Sequence, residues 1–217
     1  MNFEYFIAKR LIKGKQRKIS ISAPIIKIAI AAIALGIIMM LVAIATGAGL
    51  KLKIREKVSA FNGHIQISNF DNNVSDVSVV PVSMDQDFYP EFSMVEGVRH
   101  IQAVATMAGI IRTEETFEGI VAKGVGKDYN WSHFGEYLID GDLPDYTEKL
   151  NDGALISRIV ANRLQLKVGD SFFAFFLKEG DPSKMPNQRK FTVTGIYDSS
   201  FEEFDSVYIF IDIRHIQ

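Results

Sequence analysis

Clustered carboxylates come closest to a chemical site in this sequence. The stretch "DSSFEEFDS" holds Asp198, Glu202, Glu203 and Asp205, and carboxylate oxygens are the ligands that calcium prefers. A calcium-binding loop places its first acidic ligands at every second position, and this stretch does not. The four carboxylates therefore indicate a solvated acidic turn, and no metal site is predicted.

The residue types of common catalytic and cofactor sites are absent or wrongly spaced. The 217 residues include no cysteine, which excludes disulfides, thiolate catalysis and cysteine-based zinc sites. The four histidines lack the spacing of a zinc motif. Gly119 and Gly124 have the spacing of a phosphate-binding loop, but Val125 follows in place of its lysine. We therefore predict no catalytic residue, no cofactor and no enzymatic activity.

Charge is distributed unevenly along the chain. Residues 1–27 carry seven basic side chains against one acidic side chain, whereas residues 51–217 carry 17 basic and 25 acidic ones. The long acidic part is unsuited to binding nucleic acid, whose affinity for proteins comes largely from cationic contacts to phosphate.

An uncharged apolar run separates these two parts. The 23 residues 28–50, "IAIAAIALGIIMMLVAIATGAGL", contain no charge. A helix needs about 20 such residues to cross a hydrocarbon core of roughly 30 Å, so we predict a transmembrane helix over residues 24–50. The alternative is a cleaved signal peptide, since "AIA" at 43–45 resembles a cleavage site. The apolar run is longer than the roughly 7 to 15 residues of a signal peptide.

The basic residues before the span favour a cytoplasmic N-terminus. Residues 1–23 include "FEYFIAKRLIKGKQRK", in which Phe3, Phe6 and Ile7 are followed by Arg10 and Lys13. This pattern is typical of a short amphipathic helix lying on anionic lipids. A plain orienting signal made of charges is the alternative.

The apolar periodicity continues beyond the predicted span. Leu50, Ile54, Val58 and Phe61 recur at spacings of four, four and three residues, which places them on one helical face. Residues 51–63 are therefore predicted to be a stalk helix that extends the transmembrane helix. A flexible tether would have been rich in Gly, Ser or Pro, and it would transmit no force.

Residues after the stalk predict a mixed α+β domain. "GHIQISNF" has the pattern of a strand, and "MDQDFYPEFSMVEGV" that of a helix with Phe88, Phe92 and Val95 on one face. "VRHIQAVATMAGIIR" and "TFEGIVAKGV" predict a hairpin.

A second block of predicted elements follows. Ser157 is a candidate N-cap of a short helix, and "VGD" turns the chain into the strand "SFFAFFL". "RKFTVTGIY" is expected to pair with that strand, and "SVYIFI" supplies another strand. The polar stretch "KEGDPSKMPNQ" is expected to be an exposed hairpin tip. Asp212 resembles an N-cap, so residues 211–217 are expected to begin a truncated return segment.

Several of these stretches resemble one family of membrane proteins. "YFIAKRLI", "IALGIIMMLVAIATGAGLKLKIREKVSAFNGHIQI" and "GALISRIVANRLQLKVGDSFFAFF" are similar to ABC transporter permeases of the lipoprotein-releasing LolC/LolE family, which belongs with MacB-type and FtsX-type permeases. The resemblance implies a MacB-like periplasmic domain with a porter part at 64–127 and a β-rich sabre part at 128–210. It also implies an inner-membrane location and three further spans beyond this sequence.

The resemblance implies partners as well. They are a cytoplasmic ABC ATPase, a second permease copy or paralogue, membrane lipids, a lipoprotein substrate and, in a further step, a periplasmic carrier. Met40 and Ile44, one helical turn apart, are candidates to line a cavity for acyl chains. Plain contact with lipid is the alternative for both residues.

A hairpin called the hook recruits the carrier in lipoprotein-releasing members. The similar stretch "MPNQRKFTVTG" places Met185, Pro186, Gln188 and Arg189 in the hook region, with Pro182 before them. This hairpin is shorter than the family's pattern, and an ordinary solvent-facing turn is the alternative. Three other functions remain open: MacB-like export, FtsX-like activation of a cell-wall hydrolase, and a single-span anchored sensor.

Overall fold

The computed structural model describes residues 3–13, 22–70, 77–78, 80–92, 94–113, 116–176 and 186–216. The chain divides into two compact units, residues 1–58 and residues 59–217.

Two helices account for the described part of the first unit. Helix α1 spans Phe3–Lys13, where the amphipathic pattern predicts it, and helix α2 spans Ser22–Asn62 without interruption. Pro24 lies in the first turn of α2, where a missing N–H breaks no helical bond. The 41 residues of α2 rise about 60 Å, and its most apolar window has a mean hydropathy of 2.9. By length and composition, α2 is able to cross a membrane.

The described residues of the second unit that follow α2 form seven strands and two short helices. The strands are β1 (Val104–Arg112), β2 (Phe117–Val125), β3 (Leu138–Gly141), β4 (Gly153–Ser157), β5 (Ser171–Phe176), β6 (Asn187–Tyr197) and β7 (Tyr208–Asp212). Helix α3 spans Arg158–Leu164, helix α4 spans Glu202–Asp205, and 3₁₀ turns cover Trp131–His133 and Ile213–His215.

The sheet closes on itself. Its strand order is β3-β6-β4-β7-β2-β1-β5, and an additional pairing joins β5 to β6, so six strands form a ring with β3 attached to β6. The β2–β7 and β4–β6 pairs are parallel, and the others are antiparallel. Each of these six strands therefore has a strand partner on both sides over part of its length, which limits the exposed edge that could pair with another chain.

Side chains on the inner face of this barrel form the main core. Along β5, Phe172, Ala174 and Phe176 are buried while Ser171 and Phe173 are exposed, the alternation expected of a strand with one buried face. Val160 and Leu164 of α3 belong to the same core. Strands from both halves of the second unit therefore share one interior.

Local sequence signals explain how α3 begins and ends. The Ser157 hydroxyl accepts a hydrogen bond from the Val160 N–H at 3.0 Å, which confirms the predicted N-cap. Gln165 has φ +56° and closes the helix in the left-handed conformation. The β1–β2 and β5–β6 hairpins also match the predicted pairings. Asp212 caps the 3₁₀ turn that follows it by accepting a bond from the Arg214 N–H.

Two expectations about residues 64–98 are wrong. The described residues 64–69 form no strand, and Ile65 and Ile67 are exposed because no neighbouring strand of the described residues pairs with them. The stretch 84–98 is a series of turns with no helix among its described residues. Pro90 lies in its middle, where it removes an N–H donor and disfavours the helical conformation of Tyr89.

The predicted division into porter and sabre parts crosses one continuous sheet. Strands β1 and β2 come from the porter range 64–127, and they pair with β5 and β7 from the sabre range 128–210. Residues 59–217 form one compact unit. The division between Lys127 and Asp128 stays a prediction.

Gly195 provides a test of how tightly the barrel is closed. A methyl group at Gly195 would lie 2.6 Å from the Asp142 carbonyl oxygen and 3.0 Å from the side chains of Leu138 and Leu155. We predict that Gly195→Ala lowers the free energy of unfolding by about 1–3 kcal/mol, the usual cost of overpacking. Thermal unfolding in detergent, followed by near-ultraviolet circular dichroism, measures this effect.

Gly119→Ala is the matched control, because a methyl group there meets nothing within 4 Å. The control is expected to keep or slightly raise stability. Equal losses of unfolding free energy in the two variants would show that the close contacts around Gly195 do not affect stability.

Candidate functional site: the end of helix α2

The last turn of α2 belongs to the second unit and carries a buried aromatic side chain. Phe61 is 1% exposed. Its ring stacks on Phe204 at a centroid distance of 4.7 Å and meets Phe134 edge to face at 5.0 Å. Five rings lie within 6.2 Å of Phe61, and we call these six residues the aromatic cluster: Phe61, Phe134, Tyr137, Tyr197, Phe204 and Phe210.

Strand register builds the floor under this cluster. Lys123 of β2 lies directly opposite Phe210 of β7, and Phe210 lies directly opposite Leu155 of β4. Side chains at opposite positions share one face of a sheet. This face is the outer one, because the adjacent Ala122 and Ile209 belong to the interior core. The aromatic cluster therefore covers the outside of the barrel wall.

Backbone geometry ends α2 at Asn62, one residue after Phe61. Gly63 has φ +74°, and its N–H donates a hydrogen bond to the Ser59 carbonyl oxygen at 2.8 Å. This is the left-handed cap that commonly follows a helix, and glycine adopts it without the steric cost of a side chain.

A buried cation contacts the same turn. Lys123 is 4% exposed, and its Nζ donates hydrogen bonds to the Phe61 carbonyl oxygen and, at 3.3 Å, to Asn62 Oδ1. The Nζ also lies 6.0 Å from the centre of the Phe210 ring. Carbonyls in the last turn of a helix lack intrahelical partners and carry the negative end of the helix dipole. Lys123 therefore binds α2 where an ammonium group is favoured.

Burial has an electrostatic cost at this position. Desolvation lowers the pKa of Lys123 from 10.5 to about 8. Ion pairs of the described residues do not include Lys123. We call the contacts of Phe61 and Asn62 with Lys123, together with those of Phe61 with the other five rings of the aromatic cluster, the helix anchor.

The other predicted residues of α2 are exposed in this chain. Leu50, Ile54 and Val58, predicted to share a face with Phe61, are 61%, 47% and 36% exposed. Met40 and Ile44, predicted to line a cavity in the span, are 65% and 58% exposed. Their proposed contacts stay predictions.

Part of the predicted hook region is described. Gln188 and Arg189 are exposed residues of β6, and Pro186 precedes that strand. Pro182 and Met185 lie outside the described residues. Pro186 lines a shallow apolar groove, whose other walls are Ile110, Arg112, Thr113, Thr116, Phe117 and Phe175.

The acidic stretch at 198–205 has structural partners. Asp198 forms an ion pair with Arg158 at 2.6 Å, and the Asp205 carboxylate accepts bonds from the Ser199 hydroxyl and N–H. Throughout the described ranges, no group of three or more His, Cys, Asp or Glu residues is arranged to hold a metal ion. Asp198 and Asp205 stabilise the turn before α4.

Comparison with known proteins identifies the family. The family model described as "MacB-like periplasmic core domain" matches residues 28–217, which include most of α2 and the whole barrel. The chain belongs to this family. No curated protein matches the sequence.

Among the solved structures that match this MacB-like domain is one from a transporter. It is the extracellular domain of the noncanonic ABC-type transporter YknZ from Gram-positive bacteria, with 16% identity and a TM-score of 0.39. The alignment covers 57% of this chain and 59% of that chain. A likeness this slight carries no structural argument.

Family membership confirms the coarse predictions from sequence. The MacB-like domain is the part of MacB/FtsX-type ABC permeases that lies outside the cytoplasm, and the mixed α+β class with one N-terminal apolar helix is confirmed. Permeases of this type work with a cytoplasmic ABC ATPase and are generally not catalytic themselves.

Sequence reasoning missed most of the helix anchor in the MacB-like domain. It singled out Phe61 from its helical spacing, but not Lys123, Phe134 or Phe204. The strand "TFEGIVAKGV" offers one signal, because Lys123 is the one charged residue in its small and apolar run 119–125. Such a lysine is rarely buried unless it has a specific partner.

Phe61 is predicted to carry much of the stability of the helix anchor. Replacing a buried phenylalanine with alanine costs about 3–5 kcal/mol, so Phe61→Ala is expected to lower the unfolding free energy by that amount. Urea titration in detergent, followed by tryptophan fluorescence, measures it, because Trp131 packs at 5.5 Å from Phe134 of the aromatic cluster. Phe117→Ala is the control, since Phe117 is 73% exposed. Similar losses in both variants would refute an anchoring role.

The lowered pKa of Lys123 predicts a pH dependence with a defined sign. Between pH 8 and 10.5 the unfolded chain holds a proton on this lysine that the folded chain has released. The free energy of unfolding therefore rises with pH in this window, by up to about 3 kcal/mol. Buried tyrosines have the opposite effect on the free energy of unfolding near their ordinary pKa of 10. Burial raises the pKa of Tyr197, so the folded chain keeps a proton there that the unfolded chain releases.

Urea unfolding measured from pH 7.5 to about 9.5 keeps below the tyrosine range. Lys123→Met is expected to remove the rise, whereas the exposed Lys127→Met is expected to keep it. If the free energy of unfolding of Lys123→Met rises with pH by the same amount, another titrating group causes the rise.

Proposed function

We propose that this chain is the N-terminal part of an ABC transporter permease subunit in the cytoplasmic membrane. Helix α2 crosses the bilayer, the basic residues before it stay in the cytoplasm, and the barrel lies on the outer side. The apolar length of α2, the basic charges before it and the family support this arrangement. Helix α1, with exposed Phe3, Phe6 and Ile7, rests on anionic lipids.

The permease transmits motion from the cytoplasm to the outer domain. A separate ATPase subunit hydrolyses ATP and shifts a pair of permease chains, a second copy or a paralogue supplying the other half. The observation that carries this proposal is the helix anchor, because α2 is continuous to Asn62 and Phe61 of its last turn is buried in the barrel unit. A helix fixed at its end resists the local fraying that would absorb motion.

We infer further that the transported substrate is a lipoprotein of the inner membrane. This finer proposal depends on the resemblance to LolC/LolE permeases. The apolar side chains of Met40 and Ile44 suit a cavity that holds acyl chains, and closing that cavity would push a lipid-modified protein outward. Displacing acyl chains from the bilayer costs about 0.8 kcal/mol per CH₂, which is why the step needs ATP.

The end of β6 is the proposed site for a soluble carrier. Pro186, Gln188 and Arg189 of the hook region lie at the barrel end that also carries Phe117, Ile110 and the apolar groove. Exposed aromatic, apolar and arginine side chains are the types that carry energy in protein interfaces. Pro182 and Met185 belong to the same proposed hairpin. The porter and sabre parts, divided at residue 127, are proposed to move together as one barrel unit.

MacB-like export is the second candidate function. The family match supports it as well as it supports lipoprotein release, since MacB-like domains define the family. In this alternative the same motion of α2 drives a soluble substrate onward without extracting it from lipid. FtsX-like activation of a hydrolase and a single-span sensor are the remaining alternatives.

Loss of helical continuity next to the anchor is predicted to abolish transport. Replacing residues 57–60 with Gly and Ser makes this turn flexible, because Gly and Ser linkers behave as random coils. In proteoliposomes with the ATPase, ATP-dependent release of a lipoprotein to the soluble fraction is expected to fall to background. Co-purification of the ATPase is expected to stay unchanged.

Replacing Lys57, Val58 and Ser59 with alanine is the helix-preserving control, and it is expected to keep transport. Release by the Gly/Ser variant at the wild-type rate would refute transmission through α2. A wild-type protein that never releases lipoprotein but exports a soluble substrate would favour the MacB-like alternative.

A further inference from the structure

Lys123 is a buried charge that the proposed function does not yet use. Seven of the nine residues of β2 are apolar or small, and Lys123 lies on the outer face of this strand with 4% exposure. A buried ammonium group is costly unless its donors are satisfied. The ammonium group of Lys123 donates to a backbone carbonyl oxygen and to a side-chain amide oxygen, and both acceptors belong to α2.

The geometry of these bonds differs from that of the apolar contacts. The aromatic cluster holds Phe61 by packing, which is non-directional and tolerates small rotations of a helix. A charged donor at the Phe61 carbonyl is directional, and it acts on the backbone of α2 itself. Gly63 satisfies the preceding Ser59 carbonyl from within the chain. Lys123 therefore provides a direct hydrogen bond from the barrel wall to the backbone of α2.

We propose that Lys123 is the positioning residue of the coupling, and that its charge fixes the end of α2 on the barrel. This inference rests on the proposed function, in which α2 transmits motion. Stability alone does not explain a lysine here, because an apolar residue at a buried charged position is often neutral or stabilising. The charge serves to keep the helix end in one orientation while the helix is displaced.

Pulsed electron paramagnetic resonance of the full-length permease with its ATPase in nanodiscs tests this role. The sequence has no cysteine, so spin labels can be placed on cysteines introduced at Leu52 and Leu150, which are 56% exposed each. Because the proposed anchor makes the end of α2 and the barrel move together, the wild-type protein is expected to give a narrow distance distribution that stays the same when ATP is added. Lys123→Met is expected to broaden the distribution about twofold and to make it shift with ATP, because the helix end opens locally.

Two variants separate charge from structure. Lys123→Arg keeps a charged donor and is expected to retain the narrow distribution, as is the exposed Lys127→Met. Lys123→Gln keeps N–H donors without the charge and is expected to behave like Lys123→Met. Near-ultraviolet circular dichroism checks that each variant is folded, so that a broadened distribution reports position and not unfolding.

Every outcome bears on one proposal or the other. A wild-type distribution that shifts with ATP would refute the proposed transmission and with it the role of Lys123, because α2 would then move without the barrel. A Lys123→Met distribution that stays narrow and unchanged by ATP would overturn the positioning role alone. Unfolding of both Lys123→Met and Lys123→Gln would also overturn it, because Lys123 would then be needed for folding instead of for position.

Discussion

A helix that ends inside a folded domain must satisfy the backbone carbonyls of its last turn, and this requirement shapes the end of α2. The chain meets it from two directions. Gly63 folds back to bond the Ser59 carbonyl, and Lys123 reaches from the barrel wall to the Phe61 carbonyl. Phe61 then buries its ring among aromatic neighbours that cover the outside of the same wall. Apolar packing holds the end of α2 against the barrel, and the two polar contacts fix its position.

The proposed transmission of motion would depend on a stiff second unit. Six strands of that unit pair in a ring around one core, and closely packed interiors transmit displacement with little compression. Asp198 and Asp205 near α4 belong to this framework, because they bond to Arg158 and to Ser199.

Local signals in the sequence predicted local structure well. The apolar length of α2, the Ser157 cap and the β1–β2 hairpin each depend on neighbouring residues, and each is present. Closure of the barrel depends on pairs far apart in the chain, such as the parallel β2–β7 and β4–β6 pairs, which leave no short-range signature. The burial of Lys123 follows from the same register, so periodicity within one strand could not reveal its partner. Pro90 marks the one place where an apolar period was mistaken for a helix.

Native-state hydrogen exchange at the end of α2 tests the central claim most directly. The amide of Gly63 donates to the Ser59 carbonyl beside the buried Phe61 ring, so it reports whether the helix end opens separately from the barrel. In the full-length permease this amide is predicted to exchange as slowly as amides in the centre of β7, through global unfolding. Exchange as fast as that of an exposed loop, with β7 still protected, would show that the helix end is loose and would contradict the anchoring of α2.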